Sequence, residues 1–207
     1  MAKYKYNNLL LIFSLLLFPL QLHAGDTTPM DVIRSSNTKI LEIYKTSPLV
    51  TETVLQDIFS LMEEVTDFDT MADRAVEKIC LQSSEKLCID IKTEFIKLLQ
   101  LNSTKKLGRY RADRFEYLGE EITADKAVVA TIAHYKKDSI KLDYVLERAN
   151  EKWMIVNYIA NDIDTIQNYQ RQFSRIIKKN STEFLLNRLQ KKNKQYKEER
   201  AEQSLTH

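Results

Sequence analysis

The sequence predicts an α+β domain, mostly helical, in which a four-stranded antiparallel meander is covered by helices. Three observations predict it. Apolar residues recur with the 3.6-residue helical period from Thr28 to Gly108, alternate with period two from Arg114 to Ile159, and return to the helical period after Asp162. The turns between the alternating runs are only two or three residues long, which favours antiparallel neighbours over crossover connections. Finally, three glycines and three prolines in 207 residues leave no room for a Gly-rich phosphate loop, a dinucleotide turn or a low-complexity linker.

Residues 1–24 read as a secretory signal peptide. Lys3 and Lys5 precede an apolar run from Leu9 to Leu20 broken only by Ser14 and Pro19, and Leu22-His23-Ala24 offers a small residue for cleavage. The run is about 12 residues, short against the ~20 that span a bilayer. Removing Lys3 and Lys5 from the 31 basic residues leaves 29 against 29 acidic ones. A nucleic-acid partner is therefore not expected, because such proteins carry a basic excess. The rest divides into a domain over 25–192 and a charged tail over 193–207.

Thr28-Pro29 and Ser47-Pro48 each pair a capping residue with proline at the first helical position, so helices are expected from about 29 and about 48. The first presents Val32, Ile33, Ile40, Ile43 and Tyr44. The second presents Val50, Val54, Leu55, Ile58, Phe59, Met62 and Val65. Asp67 or Asp69 can cap a third helix carrying Met71, Ala75, Val76 and Ile79, and a fourth, 84–107, carries Leu87, Ile91, Phe95, Leu98 and Leu99 before Gly108 stops it.

Four strands are expected at 114–122, 126–135, 139–148 and 152–159. In the third, Ile140, Leu142, Tyr144 and Leu146 share one face and Lys141, Asp143 and Glu147 the other. After Asn161-Asp162 a helix carries Ile163, Ile166, Tyr169, Gln170, Phe173 and Ile177, closes at a left-handed Asn180, and is followed by one carrying Phe184, Leu185 and Leu189. Beyond Gln190 the composition reads as a solvated, fraying helical tail.

Candidates for catalysis are few. His134 lies in a strand, where a hydrogen-bonded structural role is commoner than that of a base. Asp67, Asp69 and Asp73 sit at a helix start, where capping and the helix dipole explain them. Cys80 and Cys88 would stand ~12 Å apart on one helix, beyond disulfide reach. The serines between them can start a new helix, which makes a bridge across the corner feasible in an exported chain. Two free buried thiols are the alternative. No metal site is expected, since only His134 and His207 follow the signal peptide and no CxxC pair exists. Periodicity alone accommodates either a filled core or a helix-capped cavity.

Certain residues carry a resemblance. Asp67-Phe68-Asp69-Thr70-Met71-Ala72-Asp73-Arg74-Ala75 resembles the DF-x-x-MA-x-x-(A/V)L segment of the MlaC family, the toluene-tolerance or ABC-transporter auxiliary phospholipid-binding proteins. In the same order follow Phe95-Ile96-Lys97-Leu98-Leu99 with Tyr110, Ile140-Lys141-Leu142-Asp143-Tyr144, Trp153-Met154-Ile155-Val156-Asn157, and Asn168-Tyr169-Gln170-Arg171-Gln172-Phe173. The likeness spans roughly residues 30 to 192. The chain departs from the pattern at Glu77-Lys78-Ile79, at Ala160-Asn161-Asp162-Ile163, and at Asn157 where the family has aspartate.

The resemblance implies a periplasmic carrier, with no cofactor, that encloses a phospholipid in an apolar cavity. It would pass the lipid between an inner-membrane ABC transporter complex and an outer-membrane lipoprotein complex, as a monomer, to maintain lipid asymmetry of the envelope. Two acyl chains hold on the order of 30 methylenes, whose exposure at ~0.8 kcal/mol each would exceed 20 kcal/mol, so the chains must be enclosed. The charged headgroup stays at the mouth, where it keeps its water. Lining residues on this reading are Ile140, Leu142, Tyr144 and Leu146 with Trp153 and Ile155 on the sheet, and Met71, Val76, Phe95 and Leu99 on helices. Tyr110 and Phe173 would stand near the rim. Two other classes are an adaptor or assembly protein with a filled core, and a small enzyme using Asp143 and Tyr144 in one cavity.

Overall fold

Thr28 and Pro29 start the first helix: the Thr28 hydroxyl accepts from the Asp31 amide while the Asp31 carboxylate takes the Thr28 amide, a reciprocal cap. The computed structural model describes residues 27–47, 49 and 51–205, so the segment 1–24 and residues Pro48 and Val50 lie outside the described residues. Helices α1 (Pro29–Thr46), α2 (Glu52–Val65), α3 (Phe68–Cys80) and α4 (Glu85–Arg109) precede strands β1 (Arg114–Thr123), β2 (Lys126–Tyr135), β3 (Asp138–Ala149), β4 (Lys152–Ala160) and β5 (Ile163–Asp164). Helices α5 (Thr165–Lys179) and α6 (Thr182–Leu205) close the chain.

The sheet is antiparallel in the order β1-β2-β3-β4-β5. It has one strand more than the sequence predicts. Ile163 does not belong to the following helix, as its place on the apolar stripe implied; it pairs with Ala160 in β5 and is largely exposed. The two-residue turns Asn150-Glu151 and Asn161-Asp162 have positive φ at both positions, the geometry that matches the twist of paired strands.

Other boundaries shift for identifiable reasons. Thr51, not Ser47, caps α2 by accepting from the Val54 amide. Asp67 caps α3, its carboxylate taking both the amide and the hydroxyl of Thr70. Gly108 does not stop α4, which continues to Arg109 and is closed by the Tyr110 amide on the Lys106 carbonyl. Asn180 is not left-handed (φ −138°); its amide and side chain return to the Ile176 carbonyl. Nor is the chain beyond Gln190 a solvated tail up to Tyr196. Asn193 is buried and donates to the Glu94 carbonyl and carboxylate, and the Tyr196 hydroxyl donates to Asn102 Oδ1. These bonds hold α6 along α4 through a segment almost without apolar residues.

A disulfide joins Cys80 at the end of α3 to Cys88 in the first turn of α4, across the Leu81–Ser84 corner.

Candidate functional site

Two apolar cores form, and their boundary defines the site. The helical core gathers Ile40 and Tyr44 of α1, Ile58 of α2, Met71 and Val76 of α3, Phe95 and Leu99 of α4, Phe173 of α5 and Leu185 of α6. Within it Phe95 meets Tyr169 and Phe173 edge-on, at 4.8 and 4.9 Å between ring centres. The sheet core gathers Ala127, Val129, Tyr144, Leu146, Trp153 and Ile155 beneath Ile33 of α1. Helix α1 therefore spans both, its first half on the sheet and its second half among helices.

Strand register explains which side chains face inward. Val129 pairs with Tyr144 and Tyr144 with Tyr158; Ala127 pairs with Leu146 and Leu146 with Ile155. Ile155 and Tyr158 are three apart and would point to opposite faces of a regular strand. The register shift opposite Val145 and Leu146 returns them to one face. A second shift between Tyr117 and Gly119 turns the Glu120 carboxylate to accept the Met30 amide at 2.8 Å, tying β1 to the start of α1.

The polar groups on the inner face are tied to helices. Tyr144 donates to Asn37 Oδ1 at 3.2 Å, and Asn37 in turn reaches the Tyr117 hydroxyl, over whose ring the Arg34 guanidinium lies at 4.0 Å. Tyr158 shares a hydrogen bond of 2.8 Å with Thr66, which also pairs with Ile155 at the free edge of β4. Burial raises both phenols, Tyr158 to about 12 and Tyr144 higher still, so both stay neutral across the physiological range.

Tyr158 packs against both cores and marks the seam between them. A groove of about 200 Å³ opens between α1 and α2 along the same boundary, with Leu61 belonging to the helical side and Val32 and Val65 to the sheet side. Its rim is polar: Asp31 and Ser36 flank it, and Lys39 and Glu64 form an ion pair across it at 3.5 Å.

The family model described as MlaC protein matches residues 34–191. The chain belongs to the MlaC family. Among solved structures it is similar to a phospholipid-binding protein from Ralstonia solanacearum, determined in complex with a phospholipid. The TM-score is 0.65 at 20% identity, over 80% of this chain and 96% of the other. At that identity the likeness concerns the fold. No curated protein sequence matches the chain.

In this MlaC protein the residues singled out in the sequence do not form one continuous wall. Tyr144, Leu146, Trp153 and Ile155 fall in the sheet core with Leu142 packed against it, while Met71, Val76, Phe95, Leu99 and Phe173 fall in the helical core. Phe173 is not near a rim; it is buried beside Phe95. Tyr110 lies apart from both cores, edge-on to Tyr135 at 5.3 Å, and Ile140 is a partly buried residue outside them. Sequence reasoning gave no part in the site to Asn37, Thr66 or Leu61, and placed Val32 only on the buried stripe of the first helix. The one signal was Asn37, a polar residue on an otherwise apolar helical face.

Asp143 and Tyr144 do not share a cavity. Adjacent on β3, they face opposite sides of the sheet, Asp143 toward Lys141 and Tyr144 toward Asn37. His134 is bound to Glu116 at 3.1 Å, and Asp69 and Asp73 both pair with Lys92.

Proposed function

We propose that this protein binds a phospholipid by its acyl chains in the seam between the helical and sheet cores and carries it, headgroup outward, through the periplasm. Donor and acceptor would be the outer-membrane lipoprotein complex and the inner-membrane ABC transporter complex that the family resemblance implies, with the signal peptide providing export. The observation that carries the reading is that a protein described as phospholipid-binding, and bound to a phospholipid, has this fold over most of the chain. The geometry supports a specific place. Two apolar surfaces meet at Tyr158, and residues of both, Leu61 of the helical core and Val32 and Val65 of the sheet core, line a surface groove with a polar rim.

The groove is too small to hold a lipid as it stands. Enclosing pockets run to about 300–1,000 Å³, against about 200 Å³ here. Uptake therefore requires α1 and α2 to part, which breaks the exposed Lys39–Glu64 pair and bares Val32, Leu61 and Val65. Exposed pairs of this kind contribute about 0–1 kcal/mol, so the rim adds little to the barrier. The apolar area bared on opening is covered again by the entering chain, so empty and loaded forms differ little in exposed surface. A near-balanced exchange with a bilayer is what permits release to an acceptor.

Solvent extraction and mass spectrometry of the purified protein test this reading. Phospholipid is expected in stoichiometric amount. Protein that is lipid-free from cells and that takes up no phospholipid from vesicles would establish the filled-core adaptor instead.

A further inference from the structure

Charge is strongly segregated along this chain although the total is near zero. From residue 51 to 100 eleven acidic residues stand against five basic ones, a net of −6; from 165 to 199 nine basic residues stand against three acidic ones, a net of +6. The first stretch forms α2, α3 and most of α4, the second α5 and most of α6. The basic pair α5 and α6 thus packs on α3 and α4 of the acidic stretch.

The basic residues are turned outward. Helix α5 buries Ile166 and Phe173 and leaves Arg171, Arg175 and Lys178 exposed at positions i, i+4 and i+7, with Lys179 beside them. Helix α6 buries Leu185, Leu189 and Asn193 and leaves Arg188, Lys191 and Lys192 exposed. Among the described residues none of these seven forms an ion pair; Lys192 lies over the Tyr196 ring. The acids of this region are engaged or local: Glu199 binds Lys105, Glu198 binds Lys194, and Glu183 lies in the first turn of α6.

Phe184 decides the kind of partner. It is 44% exposed, one turn before Arg188 on the same face of α6, and five residues past Lys179, the end of α5. An aromatic ring set among lysines and arginines with no pocket of its own is the composition by which a helix lies on a bilayer surface. The ring enters the headgroup boundary and the cations meet anionic headgroups.

We propose that the exposed faces of α5 and α6 dock on an anionic phospholipid bilayer, with Phe184 inserted and Arg171, Arg175, Lys178, Lys179, Arg188, Lys191 and Lys192 at the headgroups. The acidic α2–α4 body is repelled by the same surface, so attraction and repulsion together orient the molecule. The proposal rests on exposed charge and one ring, not on the lipid cargo, and goes beyond the carrier reading.

Vesicle flotation tests it, with phosphatidylcholine alone or with added phosphatidylglycerol, at low and high salt. The purified protein is expected to float with the anionic vesicles at low salt and to be released at high salt. Each basic residue near such a surface contributes about fivefold to partitioning, so R188Q/K191Q/K192Q should weaken binding about 100-fold. Phe184→Ser should weaken it with an unchanged thermal midpoint, while Lys86→Gln on α4 leaves it unaltered. Equal binding to neutral vesicles, no binding to either, or full binding by the triple variant would overturn the proposal. Binding to polyglutamate without flotation would assign the surface to an acidic protein instead. Lipid content of the same preparations is measured separately, so a failure here is distinct from a failure of the carrier reading.

Discussion

The hydroxyls of Tyr158 and Thr66 share a hydrogen bond of 2.8 Å at the boundary of the two apolar cores, where Thr66 is 4% exposed. It ties the end of α2 to the last third of β4. Tyr158→Phe strands the buried Thr66 hydroxyl and should cost about 1–3 kcal/mol, whereas Tyr158→Phe with Thr66→Val removes both partners and should recover most of that loss. Urea midpoints at constant slope measure both. A double variant as weak as the single one would show that the bond is not what holds this point together.

Burial of tyrosines makes stability sensitive to alkali. Tyr44 and Tyr158 are raised to about 12 and Tyr144 further, each mainly by desolvation, against 10 in the unfolded chain. The native state thus keeps protons that the unfolded state loses. Stability from these groups is fully present below pH 10 and falls from there up to the native values, by about 1.4 kcal/mol per pH unit for each tyrosine. The thermal midpoint should be insensitive to these groups between pH 7 and 9.5 and drop steeply above 10. Tyr158→Phe should make the drop shallower, and phenolate absorbance should rise with unfolding.

The fold was readable because period and burial agree in most elements: Met71, Ala75, Val76 and Ile79 are all buried on α3, and β2 has the predicted limits. Where reading failed, the deciding force was not local. Asn193 and Tyr196 looked like tail residues because their burial depends on polar partners on α4. Ile163 joined a strand because two positive-φ residues reversed the chain just before it. The seam was the least legible feature. Alternation says that Leu142, Tyr144 and Leu146 face one way, but not that Phe95 and Phe173 pack in a second core.

The Cys80–Cys88 bridge closes a loop with a sequence separation of 8. Chain-entropy arguments give such a short loop about 2–3 kcal/mol. For a domain of this size that is roughly 5–10 °C in thermal midpoint. Cys80→Ser with Cys88→Ser, or reduction, should produce that loss. The corner joins α3 to α4 and contributes no residue to the groove between α1 and α2, so lipid content should not change. Loss of lipid in a still-folded reduced protein would mean that the corner governs opening of the seam.

The seam itself is best tested where a charge can be tolerated. Leu146 is fully buried, with Ala127 and Ile155 as its paired neighbours, so Leu146→Asp would bury a carboxylate without a partner and unfold the domain. Leu142 is only partly buried, and its backbone is fixed independently by the Thr131 hydroxyl on its carbonyl at 2.7 Å. Leu61, also partly buried, lines the groove from the opposite side. Leu142→Asp and Leu61→Asp should cost about 1–3 kcal/mol and leave a folded protein. An acyl chain lying in the seam would meet the new carboxylate in either variant, so phospholipid recovered per mole of protein should fall several-fold in both. Full lipid content in both, with circular dichroism unchanged, would place the chains elsewhere in the molecule.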